Sequence, residues 1–178
     1  MIKANSYIKL FFLVKIILIF FNFCLISYAD DLSIKNNFVV IGSNDAPVKI
    51  KVFSSLTCPH CASFHINVLP EIKKKYVESG KVQLILIDFP LDQAAFNAAK
   101  LVNCTVHKKQ IKFLDAIYEN QSAWIAGASI HDINNNLKKI VENLGINSEQ
   151  FKKCLNDEKI SDMILNGRID GHSKYKYI

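Results

Sequence analysis

The chain has 178 residues, half of them apolar, and carries 22 Lys and Arg against 16 Asp and Glu, a formal charge of +6. The first 29 positions hold three of the basic residues and no acid, so 19 basic and 16 acidic side chains are spread over the remaining 149 residues. That length suits one domain with a sizeable core, and lysines scattered without an aromatic-basic stripe argue against nucleic-acid binding.

The first element, "MIKANSYIKLFFLVKIILIFFNFCLISYAD", opens with Lys3 and Lys9 and then runs almost wholly apolar from Leu10 to Ile26. Ser27 and Ala29 place small residues at −3 and −1 of a cut after Ala29, so residues 1–29 predict a secretory signal and export. Lys15 interrupts the apolar run, which makes a retained membrane anchor the lesser alternative. Cys24 follows Phe23 rather than a small residue, which speaks against lipid attachment. Cys58, Cys61, Cys104 and Cys154 remain beyond the signal, an even number bound for a compartment where disulfides form and persist.

"NFVVIG" (37–42) predicts an edge strand and "SNDAP" a turn. "VKIKVF" (48–53) alternates, with Val48, Ile50 and Val52 on one face, and predicts a second strand. "TCPHCASFHINVLPEIKKKYVESG" (57–80) predicts a helix with Thr57 as N-cap, Pro59 in the first turn, a kink at Pro70 and Gly80 as C-cap. "KVQLILIDF" (81–89) predicts a third strand. Strand, helix and strand in this order imply a parallel pair with a right-handed crossover. Residues 92–167 then carry helical spacing throughout, enough for four or five helices and no strand. Among them are an amphipathic helix over 133–145 and another over 147–156 opening on Asn147 or Ser148. The final "RIDGHSKYKYI" predicts a loop or the start of a strand. Phe113, Tyr118 and Trp124 are expected in the core.

Chemistry concentrates at "SSLTCPHCASFH" (54–65). Cys58 falls where a strand ends and a helix begins, so free N–H groups and the positive end of the helix dipole favour its thiolate. Cys61 lies about 300° further round the helix, near enough for the sulfurs to bond or part without moving the backbone. Pro59 stiffens the turn, and His60 can supply positive charge or a hydrogen-bond donor. Stabilising the thiolate favours the dithiol by roughly 1.4 kcal/mol per pKa unit and makes the disulfide more oxidising. A zinc site needs about four ligands, and neither His60 nor His65 completes a set. We therefore expect no metal, no organic cofactor, and a redox couple rather than two inert thiols. His65, His107, His131 and His172 are expected on the surface or in loops. Cys104 and Cys154 are expected to form a structural disulfide tying two helices, a second redox pair and two separate buried thiols being the other readings. A closed loop of that size stabilises by roughly 4 kcal/mol in the chain-entropy model.

The stretch "IGSNDAPVKIKVFSSLTCPHCASFHINVLPEIKKKY" resembles the start of the DsbA-like thiol-disulfide oxidoreductases, with their CPHC centre. "FNAAKLVNC", "FLDAIYENQSAW" and "NLGINSEQFKKCL" resemble the helical domain inserted into their thioredoxin fold. The resemblance covers about 38–170. It implies an α/β thioredoxin-like fold with an α-helical insertion: 30–91 the first part of the thioredoxin-like domain, 92–167 the insertion, 168–178 a truncated return segment. It also implies a periplasmic enzyme that passes its disulfide to reduced, unfolded proteins, Cys58 attacking and Cys61 buried, with a membrane oxidase for reoxidation. A third reading, isomerase or reductase, is separated from oxidase by redox potential. The family returns from the helical block through a cis-proline loop facing the CxxC, then a hairpin and a helix. Pro47, Pro59, Pro70 and Pro90 cannot take that part, so the C-terminal strands are expected to be missing. The alternative reading is a truncated, largely inactive remnant or a binding module. Some members carry an acid six residues before the first cysteine, where this chain has Val52.

Overall fold

The computed structural model describes residues 38–175, and the segment read as a signal, 1–29, lies outside the described residues. One mixed sheet is built from β1 (Phe38–Ile41), β2 (Val48–Ser54) and β3 (Val82–Asp88) in the order β1-β3-β2. β3 runs antiparallel to β1, with Val39 opposite Leu86, and parallel to β2, with Ser54 opposite Asp88. Its central place accounts for its sequence, because a strand covered on both faces reads as a continuous apolar run. The edge place of β1 is as expected. Among the described residues β2 is also an edge strand, and its apolar face is only partly covered: Val52 packs on the core, while Val48 and Ile50 are 50% and 37% exposed.

Residues 59–77 form one helix, α1, in which α-helical turns (Pro59–Ser63, Leu69–Ile72) alternate with π turns (Phe64–Val68, Lys73–Val77). Pro70 lacks the N–H that would reach Ile66 and its ring crowds that carbonyl. The turn before it widens, Leu69 N–H reaching back to the Phe64 carbonyl, so the distortion expected at Pro70 takes the form of a π-bulge. Gly80, at φ +71, ends α1: its N–H bonds the Val77 carbonyl at 2.9 Å and that of Lys81 bonds the Tyr76 carbonyl at 3.0 Å. This is a Schellman close, which needs the left-handed residue that glycine supplies. Thr57, expected as N-cap, does not cap the helix. Cys58 holds that position, and the Thr57 hydroxyl donates instead to Asp92 at 2.6 Å.

After β3 come α2 (Gln93–Asn103), α3 (His107–Glu119), α4 (Gln121–Trp124), α5 (Ile130–Glu142), α6 (Ser148–Leu155) and α7 (Glu158–Lys174). These are six helices where the spacing predicts four or five. α4 is a single turn, and the run from 148 is broken at Asp157, whose carboxylate accepts the Ile160 N–H at 3.1 Å to start α7. α2 lies in the middle of the block and packs against α3, α5, α6 and α7. Ala94, Ala95, Ala98 and Ala99 are all buried in it, and small side chains let neighbouring helices approach. Phe113, Tyr118 and Trp124 lie in the core as expected. Asn147, one of the two expected caps, closes a capping box with Gln150 at the start of α6.

The loop or strand expected from residue 168 onward is a correction: α7 continues through Lys174. Gly171, which reads locally as a breaker, sits where α7 lies against β2, and a Cβ there would meet the Phe53 ring at 2.9 Å. A disulfide joins Cys104, just past the end of α2, to Cys154 of α6, with a Cα–Cα distance of 5.7 Å. Beside it the buried Lys100 ammonium donates to the Leu155 carbonyl at 2.9 Å and lies 4.4 Å from the Phe96 ring centre. Burial lowers its pKa, against the pull of Asp157. No helix among the described residues is long and apolar enough to cross a membrane.

Candidate active site

β2 delivers the chain to the sulfurs. The turn from Ser55 to Cys58 is tied at several points. Cys58 N–H donates to the Ser55 carbonyl at 3.1 Å, the Ser55 and Thr57 hydroxyls meet at 3.1 Å, and Leu91 N–H donates to the Ser55 hydroxyl at 3.4 Å. Asp92 accepts from Thr57 and also caps α2 through the Ala95 N–H at 2.8 Å. Gln121, at the start of α4, donates its side-chain amide to the carbonyls of Leu56 at 2.8 Å and Cys58 at 3.1 Å. The junction between strand and helix is thus held by the loop after β3 and by the helical block.

Cys58 and Cys61 are thiols, both partly exposed. Burial alone would raise the Cys58 thiol. Hydrogen bonds to its sulfur from the Cys61 thiol and from the N–H groups of Cys61 and His60 outweigh it, so the pKa lies below the ordinary thiol value. Cys61 packs against the core. Burial pushes its thiol up, the hydrogen bond to Cys58 and the Cys58 charge push the same way, and the Ser55 backbone and Ser54 hydroxyl oppose them. Pro59 is the first helical residue. His60 is exposed, and its tie to the Cys58 sulfur runs through the backbone N–H rather than the ring.

Between the sheet, α1 and α3 lies a cavity of about 20 Å³ lined by Val52, Ser54, His65, Asp88 and Tyr118 among others. Asp88, partly buried, is pushed up to about 7 by burial, although the Asn103 amide donates to it at 2.6 Å. Burial also raises the Tyr118 hydroxyl, the charge on Cys61 adding to it. His65 corrects the expectation of a surface histidine. It is 7% exposed, pairs with Asp115 at 2.7 Å, and its ring lies 4.6 Å from that of Tyr118. His107, His131 and His172 are exposed as expected. No cluster of metal-ligating side chains occurs among the described residues.

Sequence reading missed Asp88, Asp92 and Gln121. Asp88 carries a signal in hindsight, an acid closing an apolar strand. Asp92 carries another, a capping residue before an apolar helical run. Nothing local marks Gln121.

A dithiol at the start of the helix between two parallel strands, with a helical block entering after the second strand, is the arrangement of a thioredoxin-like fold with a helical insertion. The family model described as "Thioredoxin" matches residues 35–172. The crystal structure of Wolbachia pipientis alpha-DsbA1 superposes with a TM-score of 0.72 at 32% identity, over 80% of this chain and 71% of that one. A Rickettsia bellii relative whose name carries "protein-disulfide oxidoreductase" is 29% identical over 74% of this chain and 50% of its own length. A Bacillus cereus relative whose name carries "disulfide bond formation protein D" is 31% identical over 70% of this chain and 59% of its own. The chain belongs to the thioredoxin family, among its DsbA-like members. It spans about half the length of the rickettsial relatives it matches.

Proposed function

We propose that this chain is an exported thiol-disulfide oxidoreductase that introduces disulfides into reduced, unfolded proteins through Cys58 and Cys61. The observation that supports it is the contrast between two sulfurs three residues apart: one held low by hydrogen bonds at a helix start, the other held high by burial. In the disulfide form a substrate thiolate attacks the Cys58 sulfur. The Cys58–Cys61 bond breaks, and its electron pair leaves on the Cys61 sulfur, which takes up a proton. A second substrate thiolate then attacks the mixed disulfide; the substrate disulfide forms and Cys58 departs as a thiolate. The substrate loses two electrons and two protons, and the enzyme gains a dithiol. A membrane oxidase restores the disulfide. Pro59 and His60 support the reaction, Pro59 by fixing the first helical turn and His60 through its N–H. Cys104 and Cys154 stay bonded throughout as a structural disulfide. Export rests on the layout of residues 1–29.

The test uses the oxidised protein and a reduced, unfolded substrate protein, scored by disulfides formed. Cys58→Ser should abolish transfer, and Cys61→Ser, whose Cys58 thiolate attacks a disulfide and has no partner to resolve the product, should trap a mixed disulfide with an oxidised substrate protein, releasing its other sulfur as a thiol. Undiminished transfer by Cys58→Ser would end the proposal. Equilibration with glutathione gives the redox potential, which separates oxidase from isomerase or reductase.

A further inference from the structure

The Gln121 side chain reaches the redox turn across 65 and 63 residues of sequence. It is 7% exposed, and its two acceptors are backbone carbonyls on either side of Thr57. Its own backbone is fixed. The Gln121 carbonyl accepts the Ile125 N–H at 3.1 Å. Three residues on, Trp124 is fully buried, and its indole N–H donates to the Ile117 carbonyl at 2.9 Å. A primary amide has two N–H bonds in one plane, one for each carbonyl. The Cys58 carbonyl is shared, since the Ala62 N–H also donates to it at 3.1 Å to open α1. The direction of that carbonyl sets the peptide plane leading into Pro59, and so the aim of the next N–H groups.

We propose that Gln121 is a positioning residue: by clamping the Leu56 and Cys58 carbonyls it fixes the approach of the His60 and Cys61 N–H groups to the Cys58 sulfur. The helical block thereby sets the reactivity of a thiol that it does not itself carry. The proposal rests on the reading of Cys58 as the reacting sulfur. An amide is required. A carboxylate of the same shape would turn acceptor oxygens towards two carbonyls, and a thioether would leave both carbonyls buried without this donor.

Gln121→Glu and Gln121→Met, with the exposed neighbour Ser122→Ala as control, are compared with the parent by the pH dependence of Cys58 alkylation by iodoacetamide. Both Gln121 variants should shift the midpoint upward by about one pH unit and slow alkylation about tenfold below it, with near-ultraviolet circular dichroism and the Cys104–Cys154 bond retained. Ser122→Ala should match the parent. An unchanged midpoint in a folded Gln121 variant overturns the proposal. The parent protein gives an independent reading: the NMR shifts of the Gln121 side-chain amide should follow the Cys58 titration with the same midpoint, and shifts indifferent to it also overturn the proposal. Neither readout uses a protein substrate. A parent without disulfide transfer whose Cys58 midpoint still depends on Gln121 would sink the functional reading alone.

Discussion

Asp88 closes β3 beside Ser54 and keeps its proton up to about pH 7, because burial disfavours the carboxylate more than the Asn103 amide favours it. In the unfolded chain the same group ionises near its ordinary 3.8. Below that pH both states hold the proton and nothing is lost. As pH rises from there to about 7 the unfolded chain releases the proton and the folded one keeps it, so stability falls. Above about pH 7 the loss is complete, up to about 4 kcal/mol at about 1.4 kcal/mol per pKa unit. Asp88→Asn keeps an oxygen for Asn103 and removes the ionisation. It should melt above the parent at pH 8 and level with it at pH 4; a gap independent of pH would contradict this account. At the sulfurs, limiting iodoacetamide at mildly acidic pH should label Cys58 first, mapped by mass spectrometry. Preferential labelling of Cys61 would reverse their roles. Cys58 and Cys61 are legible in sequence because the groups that polarise Cys58, its neighbours' N–H bonds at a helix start, lie within three residues. His65, Asp88 and Gln121 take their environments from partners 50, 15 and 65 residues away, and no short window contains both halves.

Helix ends follow the same division. Asn147 and Gly80 act as the sequence suggests because a capping box and a Schellman close are built from adjacent residues. Thr57 does not cap because the helix starts one residue later than expected, with Cys58 at the N-cap, and the Thr57 hydroxyl donates to Asp92 on a later element. α7 is misread past 167 because Gly171 signals a break to any local rule, whereas packing on Phe53 holds the helix together. That packing has a testable sign. Alanine is intrinsically better than glycine inside a helix by about 1 kcal/mol, but its Cβ would lie 2.9 Å from the Phe53 ring. Gly171→Ala should therefore destabilise the protein despite its propensity, by roughly 1–2 kcal/mol in a urea titration, as overpacking does. A gain in stability would mean that α7 is free to move off the sheet.

Across the whole molecule, the order strand, helix, strand and helical block is legible because hydrophobic period changes at each boundary, from alternating to continuous to helical. The number of helices is not, since α4 owes its existence to the burial of Trp124 and Gln121 rather than to any period of its own. The Cys104–Cys154 bond spans 50 residues and staples α2 to α6. Converting both cysteines to alanine should lower stability by roughly 4 kcal/mol if the effect is loop closure in the unfolded chain. Because the bond lies in the helical block, the pH profile of Cys58 alkylation should stay unchanged. A shifted profile would make the second pair part of the redox chemistry.

The same bond bears on how the protein is made. Four cysteines can pair in three ways. From residue 58 onward, the arrangement reached once the dithiol is oxidised joins first to second and third to fourth. A chain threaded across a membrane from its N-terminus presents Cys58 and Cys61 together, then Cys104, and last its partner Cys154. Order of arrival and order of pairing coincide. Under the proposed export, each bond closes between the newest cysteine and the one just before it, and no earlier link has to be undone and reshuffled.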